Sequence, residues 1–149
     1  KADRAGFAVM YPAGTGNTAN VLTWNGGACC GYAVKHQVDD IEWLDRALDD
    51  IADALPIDAS RVYLAGRSNG AHMAYRFAGV RSERIAAIAC VAGPIAHPVP
   101  ALSRPVPLVH IHGTQDEFAP FLGGRGPRSA FGVDADGVPM AGTEVGGRL

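Results

Sequence analysis

Gly66-Arg67-Ser68-Asn69-Gly70 limits what this chain can fold into more than any other stretch of it. Before it runs Arg61-Val62-Tyr63-Leu64-Ala65, a compact apolar segment that reads as a strand. After it, Ala71 to Ala78 reads as a helix, and Ala71, Ala74 and Ala78 give that helix a small-residue ridge suited to close packing. A chain that passes from strand to helix within five residues must bend sharply. Glycines on both sides of the bend remove the side chains that would clash there.

The rest of the sequence supplies similar elements. Phe7-Ala8-Val9-Met10-Tyr11, ended by Pro12, is predicted to be a buried strand, and a glycine-rich loop runs from Pro12 to about Gln37. Asp39 then offers an N-cap with Glu42 three residues on. Ile41, Leu44, Leu48, Ile51 and Leu55 follow at helical spacing until Pro56 closes the segment. Ile85 to Val91 is apolar throughout, as expected of a parallel strand covered on both faces. Pro107 to Ile111 is a further strand, leading into His112-Gly113 and an acidic loop. This alternation predicts an α/β fold with a mostly parallel sheet and flanking helices. Residues 123–149 show no sustained periodicity and read as a loop-rich end.

Composition excludes several classes of function. Hydrophobic residues make up 48% and charged residues 19%, which suits a packed core and not a disordered chain. A net charge of -2, without a basic stripe, argues against nucleic acid or an anionic membrane surface as partner. The longest apolar stretch, Ile85 to Ala92, is far short of the ~20 residues that span a bilayer. Three cysteines, Cys29, Cys30 and Cys90, do not make a disulfide framework, and no Cys-x-x-Cys pair suggests zinc. Cys90 is expected to be a buried small hydrophobe, with a bridge from the vicinal pair to it left open.

Between a strand and a helix, G-x-S-x-G has the context of a nucleophile elbow, which holds a serine hydroxyl exposed above the sheet. Ser68 is then the candidate nucleophile. The Asn69 N–H is the candidate oxyanion donor, aided by the positive end of the helix that starts there. Such a serine needs a base and an acid to orient it. Asp116 fits the acid, because it lies just beyond the carboxyl end of a strand, where active-site groups of open α/β sheets gather; Glu117 is its rival. No histidine follows His112. His36, His72, His97, His110 and His112 each fit the base poorly, His110 and His112 reading instead as hydrogen-bonded structural residues. A second oxyanion donor is expected from a loop after an earlier strand. Gly14 and Gly16 could mimic that loop, but the donor is expected upstream of Lys1.

Four blocks, Gly6–Gly16, Trp24–Asp40, Arg61–Tyr75 and His110–Pro120, resemble extracellular polyhydroxybutyrate depolymerase-like esterases, a group close to the feruloyl and acetylxylan esterases. The likeness covers about residues 1–122. It implies an α/β-hydrolase fold and ester cleavage through an acyl-enzyme, with Ser68 as nucleophile, Asp116 as triad acid, no cofactor and no metal. It also implies a secreted or periplasmic location, although no signal-like segment follows Lys1. The family's catalytic histidine and its upstream His-Gly block have no match. The chain is therefore expected to be the central part of one α/β-hydrolase domain, incomplete at both ends. The family pattern includes the double cysteine, but its usual partner region reads Phe77-Ala78-Gly79-Val80-Arg81.

Other residues read more plainly. Asp39, Asp40, Glu42, Asp45, Asp49, Asp50 and Asp53 are expected to form a solvated helix face rather than a cation site, because a helix spreads them around its polar side. Trp24 is a candidate substrate-lining residue, set against core packing. Tyr11 and Tyr75 are expected in the core with satisfied hydroxyls, and Arg125 and Arg128 as solubilising loop charges. The reading that results is a serine ester hydrolase acting on small or polymeric esters, its oligomeric state left open. The alternatives are a peptidase of prolyl-oligopeptidase type and a non-catalytic, hydrolase-like binding module.

Overall fold

The computed structural model describes residues 2–27, 29–95, 101–123 and 126–128. In chain order its elements are α1 (Ala2–Ala5), α2 (Gly31–Lys35), α3 (Asp40–Ala54), β1 (Tyr63–Arg67), α4 (Asn69–Val80), β2 (Ala87–Val91) and β3 (Leu108–Ile111). Single 3-10 turns at Ala59–Arg61 and Ser82–Arg84 lead into β1 and towards β2. The three strands form one parallel sheet in the order β1-β2-β3, with Gly66 opposite Cys90 and Cys90 opposite His110. The chain is α/β, as its alternation predicts.

α3 begins where the sequence puts it, whereas α4 begins at Asn69, two residues before the predicted start. Asp39 caps α3, its Oδ1 accepting the Glu42 N–H at 3.1 Å. Such a cap contributes ~1 kcal/mol. α4 supplies most of the core. Ala71, Met73, Ala74, Tyr75, Phe77 and Ala78 are buried against Ile88, Cys90 and Leu108 on one face of the sheet. Burying a side chain the size of Met or Phe stabilises by ~1.5–3 kcal/mol. The alanine ridge lets the helix lie close enough for that contact.

Several sequence expectations are corrected. Phe7–Tyr11 is not a strand: no neighbour pairs with it among the described residues, and Phe7, Val9 and Tyr11 are exposed, Tyr11 by 89%. Apolar composition alone cannot make a strand without a ladder partner. β2 is fully buried only on the α4 side. On the opposite face, Tyr63, Val109 and Ile111 of the neighbouring strands are exposed. β1 starts two residues later than its apolar run, because Asp58 caps the turn at Ala59–Arg61 and holds Arg61 out of the strand. The loop from Pro12 to Gln37 contains α2 and a two-residue bridge between Thr15 and Thr23. Residues 129–149, and with them most of the expected loop-rich end, lie outside the described residues.

Candidate active site

The bend between β1 and α4 is one residue wide. Gly66 and Arg67 still belong to the strand and Asn69 and Gly70 already to the helix, so Ser68 alone makes the turn. It does so with φ 51° and ψ -121°, a left-handed conformation that costs a non-glycine residue ~1–3 kcal/mol. The Ser68 N–H donates to Val91 O at 2.8 Å, and its carbonyl accepts the Ala71 N–H at 2.9 Å. The side chain is exposed. Gly66 is required by contact: a Cβ there would meet the Gly70 carbonyl and, at 2.7 Å, the Ala71 nitrogen. Ala92, at the carboxyl end of β2, is also left-handed, with φ 49°. Two strained residues thus sit at the same edge of the sheet.

Asn69 does more than the sequence suggests. Its backbone N–H lies at the open end of α4, where helix donors lack intrahelical acceptors. Its side chain grips the glycine-rich loop. Oδ1 accepts the Trp24 N–H at 2.6 Å, while Nδ2 donates to Trp24 O at 2.9 Å and to Cys29 O at 3.2 Å. The next residue is held from the other side. The Asn25 N–H donates to Asp40 Oδ2 at 2.6 Å, and Arg76 Nη1 donates to Asn25 O at 2.5 Å. Trp24 and Asn25 are thus tied to α3 through Asp40 and to α4 through Asn69 and Arg76. Gly26 completes the contact, since a Cβ there would press on Cys29 O and on the His72 Cβ at 2.6 Å.

That clamp corrects the reading of the acidic helix as a uniformly solvated face. Asp40 is buried, and burial pushes its carboxyl above the usual range, partly offset by the Asn25 N–H and the Arg76 charge. Asp45 is half-buried between Arg81 Nε, at 2.7 Å, and Arg84 Nη1, at 2.5 Å. Among the described residues no cluster of His, Cys, Asp or Glu could hold a metal ion. The Trp24 ring packs against the core and lies 6.0 Å from the Trp43 ring, while its backbone bonds the Asn69 side chain. The Cys29 and Cys30 sulfurs lie against each other, and Cys90 is free and buried, so no bridge joins it to that pair.

Asp116 lies in the loop beyond β3. Its Oδ1 accepts the N–H groups of Phe118 at 2.8 Å and Ala119 at 2.9 Å, and His112 Nε2 stands 3.5 Å from Oδ2. Partial burial raises the carboxyl, but the two N–H donors, with His112 and Arg67 nearby, outweigh it and hold Asp116 below the usual carboxylate value. Glu117 turns outwards to Arg128, which also lies over the Phe118 ring. Asp116 is thus held by the loop backbone, whereas Glu117 pairs with Arg128. Arg125 and His97 lie outside the described residues.

The other histidines are held elsewhere. His36 is exposed and packs on Tyr32, and His72 is buried beside Gly26. His110 Nε2 faces His112 Nδ1 at 3.0 Å, His110 Nδ1 faces Tyr75 Oη at 2.7 Å, and His112 Nε2 is 2.6 Å from Ala119 O. These two are the hydrogen-bonded structural histidines that the sequence suggested. Tyr75 has its hydroxyl satisfied in the core, whereas Tyr11 lies on the surface. The His72 N–H donates to Ser68 O at 3.2 Å, a bond of the first turn of α4.

Known proteins can be set beside this geometry. A bifunctional acetylxylan esterase/xylanase of Neocallimastix patriciarum is 34% identical over 117 residues, which are 78% of this chain and 16% of that protein. Feruloyl esterase B of Piromyces equi is 33% identical over 68% of this chain and 19% of its own length. Feruloyl esterase D of Neurospora crassa is 31% identical over 80% of this chain and 40% of its own. All three are named as esterases. The similarity supports an esterase family of the carbohydrate-esterase kind, and the chain spans well under half the length of each of these relatives. No family model matches the chain. No solved structure matches it either. No described helix is long and apolar enough to cross a membrane.

Proposed function

We propose that the chain carries the nucleophile and acid of a serine ester hydrolase of α/β-hydrolase type. The observation that carries this reading is the single strained residue, Ser68, exposed between a parallel strand and a helix N-terminus. In the proposed reaction Ser68 Oγ attacks the ester carbonyl and the Asn69 N–H stabilises the oxyanion. The alcohol leaves, and water then releases the acid from the acyl-enzyme. Asp116 orients the histidine base. Esters of plant polysaccharide, acetyl or feruloyl, are the favoured substrates, because relatives bearing those names are about a third identical to this chain over the aligned residues. Hydroxyalkanoate oligoesters are the second class. A location outside the cytoplasm accords with such polymeric substrates.

The test is a fluorophosphonate probe, with and without added imidazole to stand in for the base. Expected is a slow adduct on Ser68, faster with imidazole and lost in Ser68→Ala. Labelling that survives Ser68→Ala, or none under either condition, overturns the reading. Without imidazole, turnover of p-nitrophenyl acetate by the 149-residue chain is expected to be low.

A further inference from the structure

Beneath the acid loop lies a row of hydrogen-bonding groups that the ester-cleaving reading does not use. Tyr75, on α4, is fully buried. His110 is buried on the α4 side of β3, and the His112 side chain is only 3% exposed. The row runs Tyr75 Oη to His110 Nδ1 at 2.7 Å, His110 Nε2 to His112 Nδ1 at 3.0 Å, and His112 Nε2 to Ala119 O at 2.6 Å. The two imidazoles lie nearly parallel, with centroids 5.2 Å apart.

One end of the row fixes every proton in it. A carbonyl oxygen only accepts, so His112 Nε2 must carry hydrogen and donate to Ala119 O. With its hydrogen on Nε2, His112 can accept at Nδ1 from a hydrogen on His110 Nε2. His110 Nδ1 is left as an acceptor, and the Tyr75 hydroxyl donates to it. Burial, with His112 next in importance, pushes His110 below the usual histidine value, which keeps that ring neutral. Ala119 is also the residue whose N–H binds Asp116 Oδ1. Its carbonyl held by His112 and its N–H held by Asp116, the Ala119 backbone links the buried row to the acid.

We infer that Tyr75, His110 and His112 form a directional hydrogen-bond relay that positions Asp116 relative to the helix carrying Ser68. This rests on Asp116 being the triad acid. The relay starts on α4, six residues beyond Asn69, crosses β3 and ends on the acid loop, so it fixes the spacing between the two halves of the site. With Oδ1 occupied by two N–H groups, Oδ2 is the oxygen turned to a base. These three are positioning residues and touch no reacting atom.

Long-range proton–nitrogen NMR of the imidazole rings of the whole chain reads the relay directly. Expected is a hydrogen on Nε2 of both His110 and His112, with Nδ1 an acceptor in each. An Nδ1–H tautomer or a cation at either ring overturns the relay. In Tyr75→Phe, His110 loses the donor that favoured its neutral form, so its titration midpoint should rise while the His112 tautomer persists. In His112→Ala, the Asp116 carboxyl, followed by its side-chain carbon signal, should titrate at higher pH as the loop loosens, and His112→Gln should restore it by supplying a donor to Ala119 O. Arg67 and His112 are the charged or titratable groups that face Asp116, so Arg67→Gln serves as the purely electrostatic control, raising the midpoint in a way that Gln at position 112 cannot reverse. An Asp116 midpoint unmoved in folded His112→Ala overturns the positioning role. Should that variant unfold, the wild-type tautomers and Tyr75→Phe decide the matter. None of these readouts needs catalysis, so failure of the relay is distinct from failure of Ser68 labelling.

Discussion

Asn69→Ala is the substitution whose effect the structure predicts in most detail. It removes three hydrogen bonds between α4 and the glycine-rich loop, but the lost partners are not equivalent. Trp24 O and Cys29 O each keep the Gly26 N–H, at 3.0 and 2.8 Å, so losing a second donor costs each only ~0.5 kcal/mol. Among the described residues the Trp24 N–H has only the Asn69 oxygen, and leaving a part-buried donor unpaired costs ~1–3 kcal/mol. Alanine's better helix propensity returns up to ~0.7 kcal/mol. The net loss is about 2 kcal/mol, which lowers a urea midpoint by about 1 M at a typical slope of ~2 kcal/mol/M for a small protein. Trp24 and Trp43 are the two tryptophans of the chain and their rings lie 6.0 Å apart, so near-UV circular dichroism reports on the same clamp. Asn69→Asp should be no better than alanine. It keeps an acceptor for Trp24 but sets a carboxylate against two carbonyls. A loss below ~0.5 kcal/mol with an unchanged tryptophan signal would refute the idea that this side chain holds the loop to the elbow.

Three further outcomes follow from the same geometry. Ser68→Gly should raise the thermal midpoint by ~2–4 °C, as relief of ~1 kcal/mol of left-handed strain would give, while abolishing fluorophosphonate labelling; scanning calorimetry checks the first and mass spectrometry the second. Cys90, its thiol pushed up to about 12 by burial, should resist iodoacetamide at pH 8 in the folded chain and react once unfolded. Its folded value lies above its unfolded one, so the associated stability is complete below the ordinary thiol value and fades as pH climbs towards about 12. Asp116 has the opposite sign. Held below its usual value, it contributes stability that is present above the unfolded carboxylate value and is lost as pH falls through the folded one. In Asp116→Asn the acid limb of a urea-midpoint-against-pH curve should therefore flatten.

Local regularities were legible in the residues themselves. The apolar spacing and the Asp39 cap place α3, the alanine ridge places α4, and Gly-x-Ser-x-Gly between strand and helix singles out Ser68. Asp116 lies in the loop after β3, as its position predicts, and only the structure shows that Glu117 pairs with Arg128. The Phe7–Tyr11 run misled, because its apolar pattern is that of a strand and nothing in the pattern says whether a partner strand lies beside it. The roles of Asn69 and Asp40 side chains were missed for a related reason: both look like ordinary helix N-terminal residues, and their partners lie 45 and 15 positions away.

The sequence by itself determined that this chain bends sharply at Ser68 and alternates strand with helix, since periodicity, capping and glycine's lack of a Cβ act within a few neighbouring residues. Tertiary structure alone decided which carboxylates are buried, which histidines are tied into a row and where Trp24 points. Each of those outcomes is a balance of desolvation against hydrogen bonds from distant segments. That balance exists only once α4 has settled on the sheet and brought Tyr75, His110 and the Trp24–Asn25 peptide within bonding distance of their partners.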